Sequence, residues 1–178
     1  GQNCAVYSNS THSNGIKAHN TSILSGSAIC SAGGKAGNQG NFQPEPMTDC
    51  PQFEDPLESR PQPAAGVCKS NTLVVADQTL ELDPGTYCGG LTIKGTSRVT
   101  FRPGVHIMKD GPLIVSDSAS VEGVNVGFFF TGQAAQFRFA TGTTVNFTAP
   151  KDGDMAGLLF FGARSQQNVQ HEIFSDNA

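Results

Sequence analysis

Two carboxylates facing one sugar can hydrolyse a glycosidic bond, and a base beside a group that neutralises a uronate can eliminate across one. The residues to weigh first are therefore the acids Asp83, Asp110, Asp117 and Glu122 and the cations Lys94, Arg98 and Arg102 in the glycine-rich half of the chain. No Asp-Asp pair and no arginine with two neighbouring acids stands out among them. Asp83 and Asp110 stand beside a Pro-Gly and a Gly-Pro step, where a short carboxylate bonds to nearby backbone and favours the bend, so turn-forming is the expected role. Arg102 and Asp83 hold equivalent places before two Pro-Gly steps and are expected to pair between neighbouring coils. If exposed, that pair is worth about 0–1 kcal/mol, too little to specify a fold. No catalytic residue, cofactor site or metal site is expected.

The other chemistry-bearing residues favour plain roles as well. His12, His19, His106 and His171 are dispersed, with no pair at a spacing that builds a zinc site. Gly33-Gly34-Lys35 lacks both the upstream glycine and the following Ser or Thr of a phosphate-binding loop, and is expected to be a glycine turn. Phe128 and Phe130, like Phe137 and Phe139, alternate within apolar runs, the pattern of an inward ladder rather than of a surface on which sugars stack. Three Asn-X-Ser/Thr triplets, at Asn9, Asn20 and Asn146, are what chance supplies in a chain so rich in these residues.

The five cysteines, Cys4, Cys30, Cys50, Cys68 and Cys88, form no Cys-x-x-Cys and have no histidine at zinc-ligand spacing, so they are disulfide candidates. Disulfides imply an oxidising, extracytoplasmic compartment, the periplasm or the cell surface. A Cys50–Cys68 bond is expected to staple the proline-rich stretch and would contribute about 3 kcal/mol. Cys30 is expected to bond Cys4 or Cys88, and the odd count leaves at least one thiol over.

The elements that hold these residues are short. Residues 1–40 are Ser/Asn/Gly-rich with brief apolar pulses. Residues 41–70 hold six of the ten prolines, which lack the ladder N–H, and read as an excursion from the sheet. Within it, Leu57 to Arg60 is long enough for one helical turn. Residues 71–162 are a train of β-prone segments separated by glycine. There, Leu82-Asp83-Pro84-Gly85-Thr86-Tyr87 is echoed by Phe101-Arg102-Pro103-Gly104-Val105-His106, Leu91-Thr92-Ile93 by Leu113-Ile114-Val115, and Val99 by Val121. Offsets of roughly 19 to 22 residues are those of solenoid coils. A strand this short cannot bury its apolar face alone, but stacked coils about 4.8 Å apart can. Pro84-Gly85 and Pro103-Gly104 supply structural turns. The expected fold is all-β, a right-handed parallel β-helix forming a single domain over 1–178, with a β-sandwich as the alternative.

Composition narrows the partners. A net charge of -4 with only 15% charged residues excludes a phosphate-neutralising footprint for nucleic acid and electrostatic docking on anionic lipid. No apolar run is long enough to span a bilayer. With Gly1 first and no leader-like segment, the chain is expected to be a mature product or an excised piece.

Pro84 through Leu91 resembles the PGTYCGGL element of TadG-like proteins of the tight-adherence (Tad, Flp-type) pilus-assembly group of bacteria. Pro103 to His106 is similar to that family's PGVY with His for Tyr, and Gly111 to Val115 to its GGxLxV with Pro112 for Gly. Ala149-Pro150 through Gly157–Ser165 resembles AP…AGILFFGDRS, Cys4–Ser10 resembles CxVxSNS, Gly26–Cys30 fits the segment leading to the next family cysteine, and Asp55-Pro56-Leu57 resembles DPLA, with Glu58 departing. The order of these elements carries more than any one of them. The family pattern has a further cysteine upstream of the one matched by Cys4, and it continues beyond Ala178. The resemblance therefore implies a fragment of a larger protein, anchored by an N-terminal helix not included here.

The expectation that follows is a non-catalytic structural or adhesive module in pilus biogenesis, with pilus-assembly or cell-envelope partners and self-association through exposed solenoid ends. The alternative is a protein that binds or cleaves acidic polysaccharide, with a surface glycan as its partner.

Overall fold

The computed structural model describes residues 4–166 and 169–174. All strand pairing is parallel, in about six stacked turns of a β-solenoid, and the described residues include no α-helix. Facing antiparallel layers, as in a sandwich, are absent from the described residues. The chain divides into two compact units, Gly1–Ser59 and Arg60–Ala178.

In the first unit, β1 (Val6–Ser8), β2 (Ile16–Lys17) and β3 (Leu24–Ser25) form one coil, and β4 (Ile29–Ser31), β5 (Lys35–Ala36) and β6 (Phe42–Gln43) form the next. They pair as β1 with β4, β2 with β5 and β3 with β6. The core is thin: Ile16, Ala18, Ile29 and Phe42. Polar groups complete it. Asn41 is buried and donates through Nδ2 to the carbonyls of Asn20 and Ser22, at 3.0 and 2.7 Å, joining one coil to the other. Gly33-Gly34, expected to be a glycine turn, lies at the bend between β4 and β5 and is also held by close approach: a Cβ on Gly34 would collide with the backbone of Ser13 in the coil beside it.

The second unit stacks three ladders. One comprises β8 (Thr79–Leu82), β10 (Arg98–Phe101), β13 (Ser120–Gly123) and β16 (Thr144–Phe147). The first half of β9 (Gly85–Lys94) leads a second, with β11 (Gly104–Lys109), β14 (Val126–Thr131) and β17 (Phe160–Gly162). Its second half joins the third, with β12 (Leu113–Val115), β15 (Phe137–Phe139) and β18 (Glu172–Ile173), and β7 (Cys68–Ala76) pairs along both halves. The register stacks like on like: Leu91, Leu113 and Phe137 in one column, Ile93, Val115 and Phe139 in another, and Val99 on Val121 on Val145. Each such side chain, fully buried, stabilises by about 1.5–3 kcal/mol. In the column Phe101–Gly123–Phe147, the glycine leaves room for the two rings to meet edge to face with centroids 5.7 Å apart.

Alternation puts Phe128 and Phe130 inward and Ile107, Phe129 and Phe161 outward. The outward set is not left to water. The segment between β16 and β17 lays Met155, fully buried, against it.

At the Pro-Gly corners, Gly85 and Gly104 take φ of +143° and +133°, and a Cβ on Gly104 would lie 2.5 Å from Pro84 Cγ. The coil grows by two residues at this corner. Phe101 stands opposite Leu82, but His106 stands opposite Gly85 rather than Tyr87.

The disulfides correct the expected pairing. Cys30 bonds Cys50 and Cys68 bonds Cys88, while Cys4 is free and exposed. Each bond spans 20 residues, one coil, because the stack brings together residues one coil apart. Cys50–Cys68 does not form, and Cys30 bonds neither Cys4 nor Cys88. The stretch 41–70 is also less of an excursion than its prolines suggested: Phe42–Gln43 is a strand, Met47 bridges Cys30, and a strand resumes at Cys68. Leu57 to Arg60 makes a turn but no helix.

Candidate functional site

The outward faces of β8, β10, β13 and β16 carry the largest grouping of the candidate acids and cations. Period-two alternation sends Val99, Phe101 and Val121 inward and leaves Thr100 and Glu122 outside, in a cross-strand column Glu81–Thr100–Glu122–Asn146. Arg102, just past β10, reaches back over the preceding coil. Its Nε donates to Glu81 at 2.8 Å and its Nη1 to Asp83 Oδ1 at 3.0 Å. The Arg102–Asp83 contact anticipated from the paired Pro-Gly steps is present. The view that no arginine has two neighbouring acids is overturned by Glu81. The signal was available: residues two apart on a strand share a face, so whatever sits over Asp83 also meets Glu81. All three side chains are more than half exposed. The guanidinium is held above its ordinary pKa by the Glu81 hydrogen bond and charge first, and by Asp83 second.

Glu122 accepts from Thr100 Oγ1 at 3.1 Å. Beside this column runs an open trough of about 390 Å³, bordered by Glu81, Thr100, Arg102, Glu122, Val124 and Asn146. Glu81 and Glu122 are both exposed, and each accepts a hydrogen bond, from Arg102 and from Thr100.

The remaining acids hold bends. Asp110 and Asp117 adopt φ of +53° and +61°; Asp110 Oδ1 accepts from Gln133 N at 3.1 Å and Asp117 Oδ2 from Gly95 N at 2.8 Å, each in a neighbouring coil. Asp77, unflagged by the sequence, does the same at φ +53°, and its pKa is lowered chiefly by the backbone N–H of Thr96 and then by that residue's hydroxyl. Arg98 stands opposite Thr79 and Ser120 on β10, and Lys94 ends β9; neither joins the trough.

His106 and Tyr87 are local equivalents. Tyr87 donates its hydroxyl to the carbonyl of Asp83 at 2.6 Å, and His106 Nε2 meets the carbonyl of Arg102 at 2.9 Å, each across its own Pro-Gly corner. A carbonyl only accepts, so Nε2 carries the proton. Nδ1 is then bare and buried, with no hydrogen-bond partner among the described residues. Burial pushes His106 down to about 4; the Arg102 carbonyl opposes it next in size, and the Lys69 charge (downward) and Asp83 charge (upward) act less. Burial, then the Asp83 charge, pushes Tyr87 up to about 12, so it stays a donor. His171 accepts from Phe137 N through Nδ1 and stacks on the Phe137 ring, and burial lowers its pKa. His12 Nδ1 accepts from Asn14 N in a local turn, and His19 is exposed. Among the described residues, no three of His, Cys, Asp and Glu converge as metal ligands, and no helix is long and apolar enough to cross a membrane.

The fold and site thus define a disulfide-bearing β-solenoid with an open polar trough. Comparison with protein-family models, curated proteins and solved structures finds no match to this chain. The two coil-to-coil disulfides point to an oxidising, extracytoplasmic setting.

Proposed function

We propose that the protein is a non-catalytic structural and adhesive module of a bacterial envelope, the exported part of a TadG-like surface protein of the Tad pilus-assembly group, at the periplasm or the cell surface. The observation that carries the non-catalytic part is the engagement of the candidate acids in bonds between coils: Asp83 with Arg102, Glu122 with Thr100, Asp110 with Gln133 and Asp117 with Gly95. Side chains committed to stacking build a scaffold. The pilus assignment rests on the ordered sequence elements from Cys4 to Ser165.

The partners proposed are pilus-assembly or envelope proteins and, through a solenoid end, a second copy. Among the described residues, β16, β17 and β18 each pair on one side only, leaving backbone groups open as an edge. Deletion of the gene is expected to abolish piliation or surface attachment, with rescue by the intact gene; normal pili and attachment in the deletion strain would overturn the assignment. Light scattering of the purified chain is expected to show concentration-dependent association, and a strict monomer would remove the end-to-end part. Turnover of pectin- or alginate-like polymers would refute the non-catalytic reading.

A further inference from the structure

The trough over β8, β10, β13 and β16 has features that a scaffold alone does not require. Its floor repeats a polar side chain on each of four consecutive coils, Glu81, Thr100, Glu122 and Asn146. Coils follow one another at about 4.8 Å, close to the advance of one sugar along an extended glycan, so one chain laid parallel to the axis meets a polar group per sugar. One wall is apolar: Val124 is 64% exposed and stands with Pro103, offering a surface for the C–H face of a ring.

The charge of the trough selects among sugars. Among the described residues, Arg102 is the only cation bordering it, and its guanidinium is bound to Glu81 and Asp83. Glu122 accepts one hydrogen bond, from Thr100, and a carboxylate offers about four acceptor sites. Beside it stands the exposed amide of Asn146. These groups welcome hydroxyl and ammonium donors and repel uronates, the reverse of what an acidic polysaccharide needs. The chain has no tryptophan, and Phe101 beneath the trough is only 1% exposed, so stacking on an aromatic ring is not on offer. Binding by one copy is then weak and gains strength from many copies on one surface.

We propose that this trough binds a linear glycan rich in free amino sugars, laid along the solenoid axis with an ammonium on Glu122. The proposal rests on the adhesive reading and names its ligand.

The test is calorimetric titration of the purified chain with three oligosaccharides of equal length: glucosamine, N-acetylglucosamine and galacturonate. Glucosamine oligomers are expected to bind at least about ten-fold more tightly than acetylated ones, the scale of one charge-assisted hydrogen bond, and galacturonate not at all. Glu122→Gln keeps an acceptor for Thr100 and is expected to erase that ten-fold preference while leaving the acetylated oligomer within two-fold. Asn146→Ala weakens both. Glu58→Gln, outside the trough, is expected to change nothing. Equal binding of all three oligomers, no binding of any, or an equal loss in the Glu58 variant would overturn the proposal, the last by exposing general charge attraction. The adhesive reading fails separately, through a deletion strain that attaches normally.

Discussion

The two units follow one plan, three short strands per coil in parallel ladders, and hold it together differently. The second has columns of Leu, Ile, Val and Phe on every inward face, with a further apolar layer outside under Met155. The first has four buried apolar residues and relies on a buried amide, close glycine contacts and a disulfide. Covalent closure of one coil is worth about the same in either place, since the entropy removed from the unfolded chain depends on loop length and not on what surrounds it. It is therefore a small share of the second unit's stability and a large share of the first's, because a smaller unit buries less apolar surface.

The sharpest way to break that contrast is to open the thick core. Phe128 is fully buried among His106, Phe101, Phe147 and Phe160. Phe128→Ala is expected to destabilise the second unit by about 3–5 kcal/mol. Urea unfolding followed by hydrogen exchange of each unit checks this, with protection of Ile29 and Ser31 in the first unit unchanged.

Next is the removal of the staples. Cys30→Ser/Cys50→Ser and Cys68→Ser/Cys88→Ser should each lose about 3 kcal/mol. The first pair is expected to unfold its unit at room temperature and the second only to lower a midpoint. Equal tolerance in both would mean that the thin core is sufficient alone.

A similar effect follows acid, in the second unit. His106 titrates at about 4 folded against 6.5 for the free side chain. The unfolded chain thus takes up a proton that the fold excludes. Stability is complete above pH 6.5, falls as pH drops toward 4 and is constant below as far as this group is concerned, for a total of about 3 kcal/mol. His106→Tyr, which copies the bond made by Tyr87, is expected to flatten that slope in denaturation midpoints measured from pH 7 to 4.

The smallest effect belongs to Arg102→Ala. Its pairs with Glu81 and Asp83 are exposed, so the expected shift in the denaturation midpoint is slight and shrinks further with added salt. A shift as large as that of Phe128→Ala would make this triad a structural element on a par with the phenylalanine columns.

Much of the second unit was legible in the chain. Matched segments at coil spacing placed Leu113 on Leu91 and Val121 on Val99, because parallel stacking rewards like residues at like positions. The Pro-Gly steps marked the corners and put Arg102 over Asp83. The first unit was harder to see. Its strands of two or three residues leave too few apolar positions for a period, so the Ser/Asn/Gly texture hid coils like those downstream.

The sequence by itself determined the architecture, the oxidising compartment and the corner residues, since each follows from local periodicity, turn chemistry or residue type. Only the tertiary structure decided which cysteines meet, that Glu81 joins Asp83 under Arg102, that His106 lies buried with a bare nitrogen, and that Met155 closes over an outward face. Those depend on coil length, and coil length shifts by two residues at a single corner and by more wherever a loop is inserted. A one-dimensional pattern fixes which face a residue occupies, but its neighbour one coil away is set by the number of residues the chain takes to come round.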